Sequence, residues 1–437
     1  MHRRAASGIL PPSNPFRARV QRMETEQRIQ TILGLQRQIG NSATLALLRR
    51  GDVTRLNGSS RITVQRKSRH PHFSGGLATK GKDNDFAVVF FRQAHGENAA
   101  AMSIDEFLRF IQRLITGTLM RSQTAPLMKF TTEVQGDSYG SFRYSEWCMN
   151  INPEIAFGSA KTVSEITEAN LKELADTVYH ETRHAEQIFR VLRARVGAML
   201  PDPENVTKEQ RWAVADKLRR EIAVPFLVAL QAAEHPLSPD TKAGKRLLSG
   251  AMAWEKSIYG SDAQYRNFVL GKSKENAQKM YKYSSKLYYS VPDDYNVHLP
   301  MHNMPLPQKA ADYDTALDWI NSLYRRFESR HLPEAERVLE SLRKRGKSSG
   351  MEQIMRRHIQ TILSAMRAIL KTEGKLYTKE QIEALYYQAE AAVLAFDQAY
   401  RDLPEEADAW RIGGKAGSKY EKQARKHGLD TSSPEDD

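Results

Sequence analysis

The chain has 437 residues and a formal net charge of +13 at pH 7, from 65 Lys and Arg against 52 Asp and Glu. A single cysteine, Cys148, excludes an intramolecular disulfide and a thiolate-rich metal cage. No run approaches the roughly 18 apolar residues that would cross a membrane.

The charge is confined to one end. Residues 1–82 hold 13 Arg and 3 Lys but only Glu24, Glu26 and Asp52 as acids, so they carry the whole net charge and the remainder is formally neutral. Such an arm suits nonspecific electrostatic contact with nucleic acid, anionic lipid or an acidic protein surface. It has few aromatic rings on which bases could stack. Within it, 1–25 and 51–82 are rich in Arg, Pro, Ser and Gly and read as flexible linkers. Between them, Ile29, Ile32, Leu33 and Leu35 mark one amphipathic helix. Gly40-Asn41 stops it and Ser42 caps a second helix carrying Leu45 and Leu48, which predicts a helical hairpin over 26–50. Arg3 and Arg4 are followed by Ile9-Leu10 and at once by Pro11-Pro12. No secretory signal is read, and synthesis in the cytosol is expected.

Folded structure is expected from near Asp85. Phe86–Phe91 reads as a buried strand, and Ile104–Ile115 as a helix opened by a capping box of Ser103 and Glu106. Met128–Val134 and Phe142–Asn152 read as two strands joined by a hairpin turn at Gly136–Gly140, with Cys148 buried in the second. A long helix is permitted over 164–196, which contains no Pro or Gly. Beyond Gly197 the periodicity predicts helices over 207–233, 240–258, 262–289, 310–345, 351–372 and 378–402, interrupted by prolines at 292, 300, 305 and 307. From Lys415 the sequence turns polar and is expected to fray. The fold class that follows is α+β: a small sheet and one motif helix, extended by a large, mostly helical C-terminal region. The divisions are 1–82, an arm; 83–308, the region of the sheet and the motif helix; 309–414, a helical region; and 415–437, a tail.

The motif helix contains His180-Glu181-Thr182-Arg183-His184, the pattern H-E-x-x-H. Residues four apart share a helix face, so two imidazoles can hold one Zn²⁺ and the Glu can act as general base toward a water on the metal. The apolar stripe runs Leu171, Leu174, Val178, Ala185, Ile188, Leu192, and its missing member is Glu181. A carboxylate on a core-facing stripe is costly without a task or partner. Thr177, His180, His184 and Gln187 form the neighbouring row, and Gln187 is placed to steady a metal-bound imidazole.

A catalytic zinc needs a third protein ligand. Ile382, Leu385, Ala389, Ala392, Phe396, Ala399 and Leu403 step by three and four, and continuing the count across Pro404 reaches Glu406. Glu405, Glu255 and Asp294 are its competitors. Tyr400, Tyr259, Arg183 and His298 could each supply a donor to a developing oxyanion.

His-Glu-Thr-Arg-His-Ala-Glu-Gln at 180–187 resembles the active helix of the zincin metallopeptidases. Tyr-x-x-x-Pro-x-Glu-x-x-Ala at 400–409 is similar to the segment that supplies the glutamate ligand in the gluzincin branch. The resemblance implies a zincin-like fold, His180, His184 and Glu406 on zinc, and Glu181 as base. The separation of His184 from Glu406 is longer than in most gluzincins. The metzincin pattern is not met, since Gln187 and Arg190 stand where it needs Gly and His. Near the start, Leu35-Gln36-Arg37-Gln38-Ile39-Gly40-Asn41-Ser42-Ala43, with Leu45, Leu47 and Leu48, resembles a segment of cargo and accessory proteins of extracellular contractile injection systems. That resemblance implies a bacterial effector or toxin loaded into such a particle through residues 1–82. The expected activity is zinc-dependent hydrolysis of a protein or peptide. The alternatives are a non-catalytic, zinc-stabilised accessory protein of the injection system and a nucleic-acid binder acting through its basic arm.

Overall fold

The computed structural model describes residues 73–431, apart from 124, 127, 137, 201–204, 241, 292–309, 346–349 and 377. The basic arm up to residue 72, its expected hairpin, His298 and Asp294 therefore lie outside the described residues.

The chain is mostly helical with one small mixed sheet, α+β at the coarse level expected. In order it forms α1 (Lys82–Ala94), α2 (Ile104–Gln123), β1 (Lys129–Thr131), β2 (Gly140–Arg143), β3 (Cys148–Ile151), α3 (Pro153–Ala156), α4 (Glu168–Met199), α5 (Lys208–Ile222), α6 (Phe226–Glu234), α7 (Lys242–Ile258), α8 (Ala263–Leu270) and α9 (Lys272–Ser290). There follow α10 (Ala310–Arg326), a π-helical turn at Phe327–His331, α11 (Leu332–Lys344), α12 (Gly350–Leu370), α13 (Lys379–Arg401) and α14 (Pro404–Lys426). No described helix is long and apolar enough to cross a membrane.

Several expectations are corrected. Phe86–Phe91 is not a strand but part of α1. Phe86, Ala87, Phe90, Phe91 and Ala94 are buried at helical spacing while Val89 is 39 % exposed, and Asp83 and Asp85 sit in the first turn, where the helix dipole favours them. A short apolar run cannot separate the two periodicities by itself. Secondly, Gly136–Gly140 is not a hairpin turn. The sheet order is β1-β3-β2, with β1 parallel and β2 antiparallel to β3 (Phe142 opposite Met149). The chain crosses from one sheet edge to the other through Gly136, and the hairpin turn is Tyr144–Trp147, where Trp147 takes a left-handed φ of 51°. Cys148 is buried in β3 as expected. Thirdly, the residues from Lys415 do not fray. They continue α14 to Lys426, with Ala416, Gly417, Tyr420 and Ala424 buried.

Two large apolar cores and one small one result among the described residues. Of the large ones, the first gathers α1, α2, the sheet, α4, α5, α6 and the body of α14; the other gathers α8 to α13 and ends at Leu403. Pro404, at the first position of α14, starts the return to the first core. Glu405 and Glu406 stand at this junction. Helix α14 lies close against α4 because its facing residues are glycines. A Cβ on Gly413 would stand 2.4 Å from Asp176 Oδ1 and 2.8 Å from His180 Cβ, and one on Gly417 would meet Asp176 Cβ at 3.2 Å. Likewise, a Cβ on Gly140 would meet Asn150 O at 2.7 Å and Thr177 Cγ2 at 3.2 Å, which seats β2 on the motif helix.

Folded structure also begins earlier than expected. Phe73 packs edge-on against Trp254 at 5.1 Å in a small cluster with Val191, and Leu77, in the first core, is 1 % exposed. The division at 82 therefore cuts through folded structure. Two buried side chains are worth about 1.5–3 kcal/mol each. A chain beginning at residue 83 should be at least about 3 kcal/mol less stable than one beginning at residue 73. Denaturant midpoints of the two compare them directly.

Packed beneath these glycines, Asp176 has a buried Oδ1 without a hydrogen-bond partner. Burial, and then the nearby Glu173 carboxylate, push its carboxyl up to about 7. An acid whose pKa is raised on folding binds its proton more tightly in the native state, so stability falls as pH rises from the unfolded value near 3.8 through about 7. Asp176→Asn removes that loss. The variant should match the wild type near pH 4 and exceed it by about 2 kcal/mol at pH 8, after discounting for partial exposure. Parallel melting curves that never diverge with pH would contradict this.

Candidate metal centre

The site is built where the middle of α4 meets the first turn of α14. Thr167 caps α4 by accepting from the Asn170 amide, and the helix runs 32 residues without a break. His180 and His184 share one face, with their Nε2 atoms 3.0 Å apart. Glu406 Oε2 lies 3.8 Å from His180 Nε2 and 3.4 Å from His184 Nε2. Tetrahedral donors about 2.0–2.1 Å from a zinc ion are about 3.3 Å apart, close to these separations. Among the described residues, these three form the group with metal-holding geometry, their donor atoms all within 4.8 Å.

The competing carboxylates are occupied elsewhere. Glu405 accepts from Arg266 Nε at 2.7 Å, and Glu255 pairs with Arg195 at 2.5 Å. Asp294 lies outside the described residues.

The donor set fits a dication on its own chemistry. Burial, and then the charge on His184, lower the His180 imidazole to about 3 against the opposing pull of Glu406. For His184, burial acts downward, but the Glu406 carboxylate and then Glu181 outweigh it and raise the ring to about 9. Glu406 is held near 2, because the two imidazoles and the Tyr400 hydroxyl overcome the cost of its burial. Without metal, one proton on His184 thus serves two imidazoles and a carboxylate. Glu406 Oε2 still lacks a hydrogen-bond partner. A cation between the three supplies what that proton cannot.

The ring orientations are set from outside. His184 Nδ1 faces Gln187 Oε1 at 3.0 Å, while Gln187 Nε2 donates to Glu405 O at 2.9 Å and Asp408 Oδ2 at 3.1 Å. With its amide nitrogen so committed, Gln187 presents oxygen to the ring, so Nδ1 carries hydrogen and Nε2 keeps a lone pair for metal. Trp410, 42 % exposed, meets the His180 ring edge-on at 4.6 Å, and Arg401 lies over the indole.

Glu181 is beside the ligands but is not one of them. Its Oε1 is 3.9 Å from His180 Nε2, and its side chain is 12 % exposed. Burial foremost, with Glu406 adding to it, raises its carboxyl to about 7, against His184 and a backbone hydrogen bond from Phe142 of edge strand β2.

Of the expected oxyanion donors, Tyr400 lies in the site. Its phenol is pushed far above its ordinary value by burial and by the carboxylates of Glu406 and Glu181. Arg183 is committed to Glu186 at 2.5 Å and Asp408 at 2.7 Å. Tyr259 faces Tyr144, Arg195 and Glu255 instead, and His298 is outside the described residues. Asp408 and Trp410 were not singled out in the sequence. A signal existed for Asp408, which falls on the buried side of α14 one residue before Ala409.

Comparison of the chain with family models, with curated proteins and with solved structures finds no match. Its function is therefore read from the site.

Replacing His180, His184 or Glu406 by Ala should weaken zinc binding at least about 100-fold, since two protein ligands hold the ion poorly. Glu255→Ala should leave it unchanged. Competition with a chromophoric chelator measures all four, and wild-type affinity in Glu406→Ala would remove that residue from the site.

Proposed function

We propose that the chain is a zinc-dependent peptidase with His180, His184 and Glu406 as ligands and Glu181 as general base. The observation that carries this reading is the placement of Glu181: a mostly buried carboxylate 3.9 Å from the His180 imidazole, next to a three-donor cluster yet outside it. A purely structural metal site has no need of such a group, whereas hydrolysis uses a general base held beside the metal-bound water.

Zinc, when bound, supplies a Lewis acid that acidifies water and polarises a carbonyl. The ionised Glu181 takes a proton from the attacking water and returns it to the leaving amine nitrogen. The Tyr400 hydroxyl, which bonds the Glu406 carboxylate without metal, would turn to donate to the oxyanion as it forms. Strand β2 is at the sheet edge, and Phe142 within it reaches Glu181. An extended peptide adding to that edge would run past the base, held by backbone hydrogen bonds that do not depend on its side chains. Trp410 offers an aromatic wall for a neighbouring substrate side chain.

The N-terminal resemblance supports a further part of the proposal. The peptidase is a bacterial effector, loaded into a contractile injection particle through the basic arm, with its substrate in the receiving cell. That part rests on residues 1–72, outside the described ones, and is tested separately by whether purified particles contain the protein.

Activity is tested on denatured protein with zinc-loaded enzyme. Glu181→Gln should keep zinc and lose at least about 100-fold in kcat. Tyr400→Phe should also keep zinc and lose about 10² to 10³ in kcat. Zinc bound at one per chain with no cleavage by the wild type would favour a non-catalytic metal-stabilised protein.

A further inference from the structure

Behind the metal centre, the backbone of Phe73-Ser74-Gly75-Gly76-Leu77 is held by side chains of α4 and α14. Arg183 Nη2 and Arg411 Nη2 donate to Phe73 O at 3.5 and 3.4 Å, Arg190 Nη1 to Ser74 O at 3.1 Å, and Arg183 Nη1 to Gly75 O at 3.4 Å. The Leu77 amide donates to Glu186 Oε2 at 3.2 Å, and Tyr179 donates to Leu77 O at 3.2 Å. Only glycine fits at the centre. Gly76 has φ +57°, and a Cβ there would fall 1.4 Å from Glu186 Oε1 and 2.6 Å from Arg190 Nη2.

The side chains that grip this segment also brace the ligands. Arg183 Nε donates to Asp408 Oδ2 at 2.7 Å, and the same oxygen accepts from Gln187 Nε2 at 3.1 Å. Gln187 in turn faces His184 Nδ1, and Asp408 is two residues past Glu406. Three side chains thus join Phe73 O to a metal-ligating imidazole. Arg183 has no solvent exposure, and its guanidinium donors require acceptors. If the segment leaves, two carbonyl acceptors go with it. A buried guanidinium then either admits water or swings toward other acceptors, and Asp408 and Gln187 move with it.

We propose that Phe73–Leu77 is a positioning segment of the metal centre, so that zinc is held tightly only while the segment is seated against Arg183, Glu186 and Arg190. This rests on the metal-binding reading above. The segment directly follows the basic arm, so an event that unseats it from that side loosens the site. The coupling is reciprocal: if seating strengthens zinc binding, zinc must strengthen seating by the same factor.

That reciprocity can be read in the full-length wild-type protein. Hydrogen exchange is measured after chelation and again with excess Zn²⁺, comparing residues 73–79 with the remote helices α11 and α12. Zinc should slow exchange in 73–79 at least about tenfold more than in the remote helices. In the full chain, Gly76→Ala should weaken zinc binding at least about tenfold. Gly81→Ala should not, although its φ is also positive (+93°), because nothing lies within 4 Å of its Cβ. Where Gly76→Ala fails to fold, the exchange experiment decides. If zinc binds but 73–79 is slowed no more than the remote helices, or if folded Gly76→Ala keeps wild-type affinity, the inference is overturned and the metal reading stands. If the wild type binds no zinc, both fall.

Discussion

Four charged side chains almost wholly removed from water, Arg183, Glu186, Arg190 and Asp408, lie where α4 meets α14, and the Arg183–Asp408 pair among them ties the two helices together. Each would be costly to bury alone, and each is tolerated because the set is neutral and closely paired. Burial works against the charge on Asp408, yet the Arg183 guanidinium holds its carboxyl below the ordinary range. Breaking one pair leaves an uncompensated charge in the core, typically worth several kcal/mol. The two helices therefore meet in one register. That register brings Glu406 to the imidazoles of His180 and His184 and turns Glu405 toward Arg266.

The second constraint is closeness. Gly140 and Gly413 lie where a β-carbon would collide with Asn150 of β3 and Asp176 of α4, and one on Gly417 would press tightly on Asp176. Glycine in a helix costs about 1 kcal/mol against alanine, so two on one face of α14 call for a packing reason. Here it is contact with Asp176 and His180. The close approach buries the donor cluster; burial is the first cause of the shifts at His180 and Glu181, whereas at His184 the Glu406 carboxylate outweighs it.

Glu181 differs from the three donors in position. His184 and Glu406 form an ion pair that one metal ion can replace, whereas Glu181 sits next to that pair and close to Phe142 at the sheet edge. Without metal, the two carboxylates in this pocket have acidities driven apart, near 2 for Glu406, which the imidazoles stabilise as an anion, and near 7 for Glu181, which burial disfavours as one.

The sequence by itself determined what depends on short-range geometry. Two histidines four apart on a helix must share a face, so the His180–His184 pair and the place of Glu181 were legible. The helical stripe through α13 also pointed to Glu406, and the register survived Pro404 because proline is accepted at the first position of a helix. What spacing could not decide were matters of partner. Phe86–Phe91 is compatible with strand or helix, and only packing in the first core settles it. Lys415–Lys426 looks polar, yet Tyr420 and Ala424 find a core that residues from far upstream supply. Arg183 was a candidate oxyanion donor until Asp408, 225 residues away, claimed it. Ser74-Gly75-Gly76 has a linker's composition, yet Gly76 is used for a close approach to Glu186 and Gly75 lies against Leu247. In each case the residue types allowed several states, and the choice came from contacts between segments distant in the chain, which local periodicity does not encode.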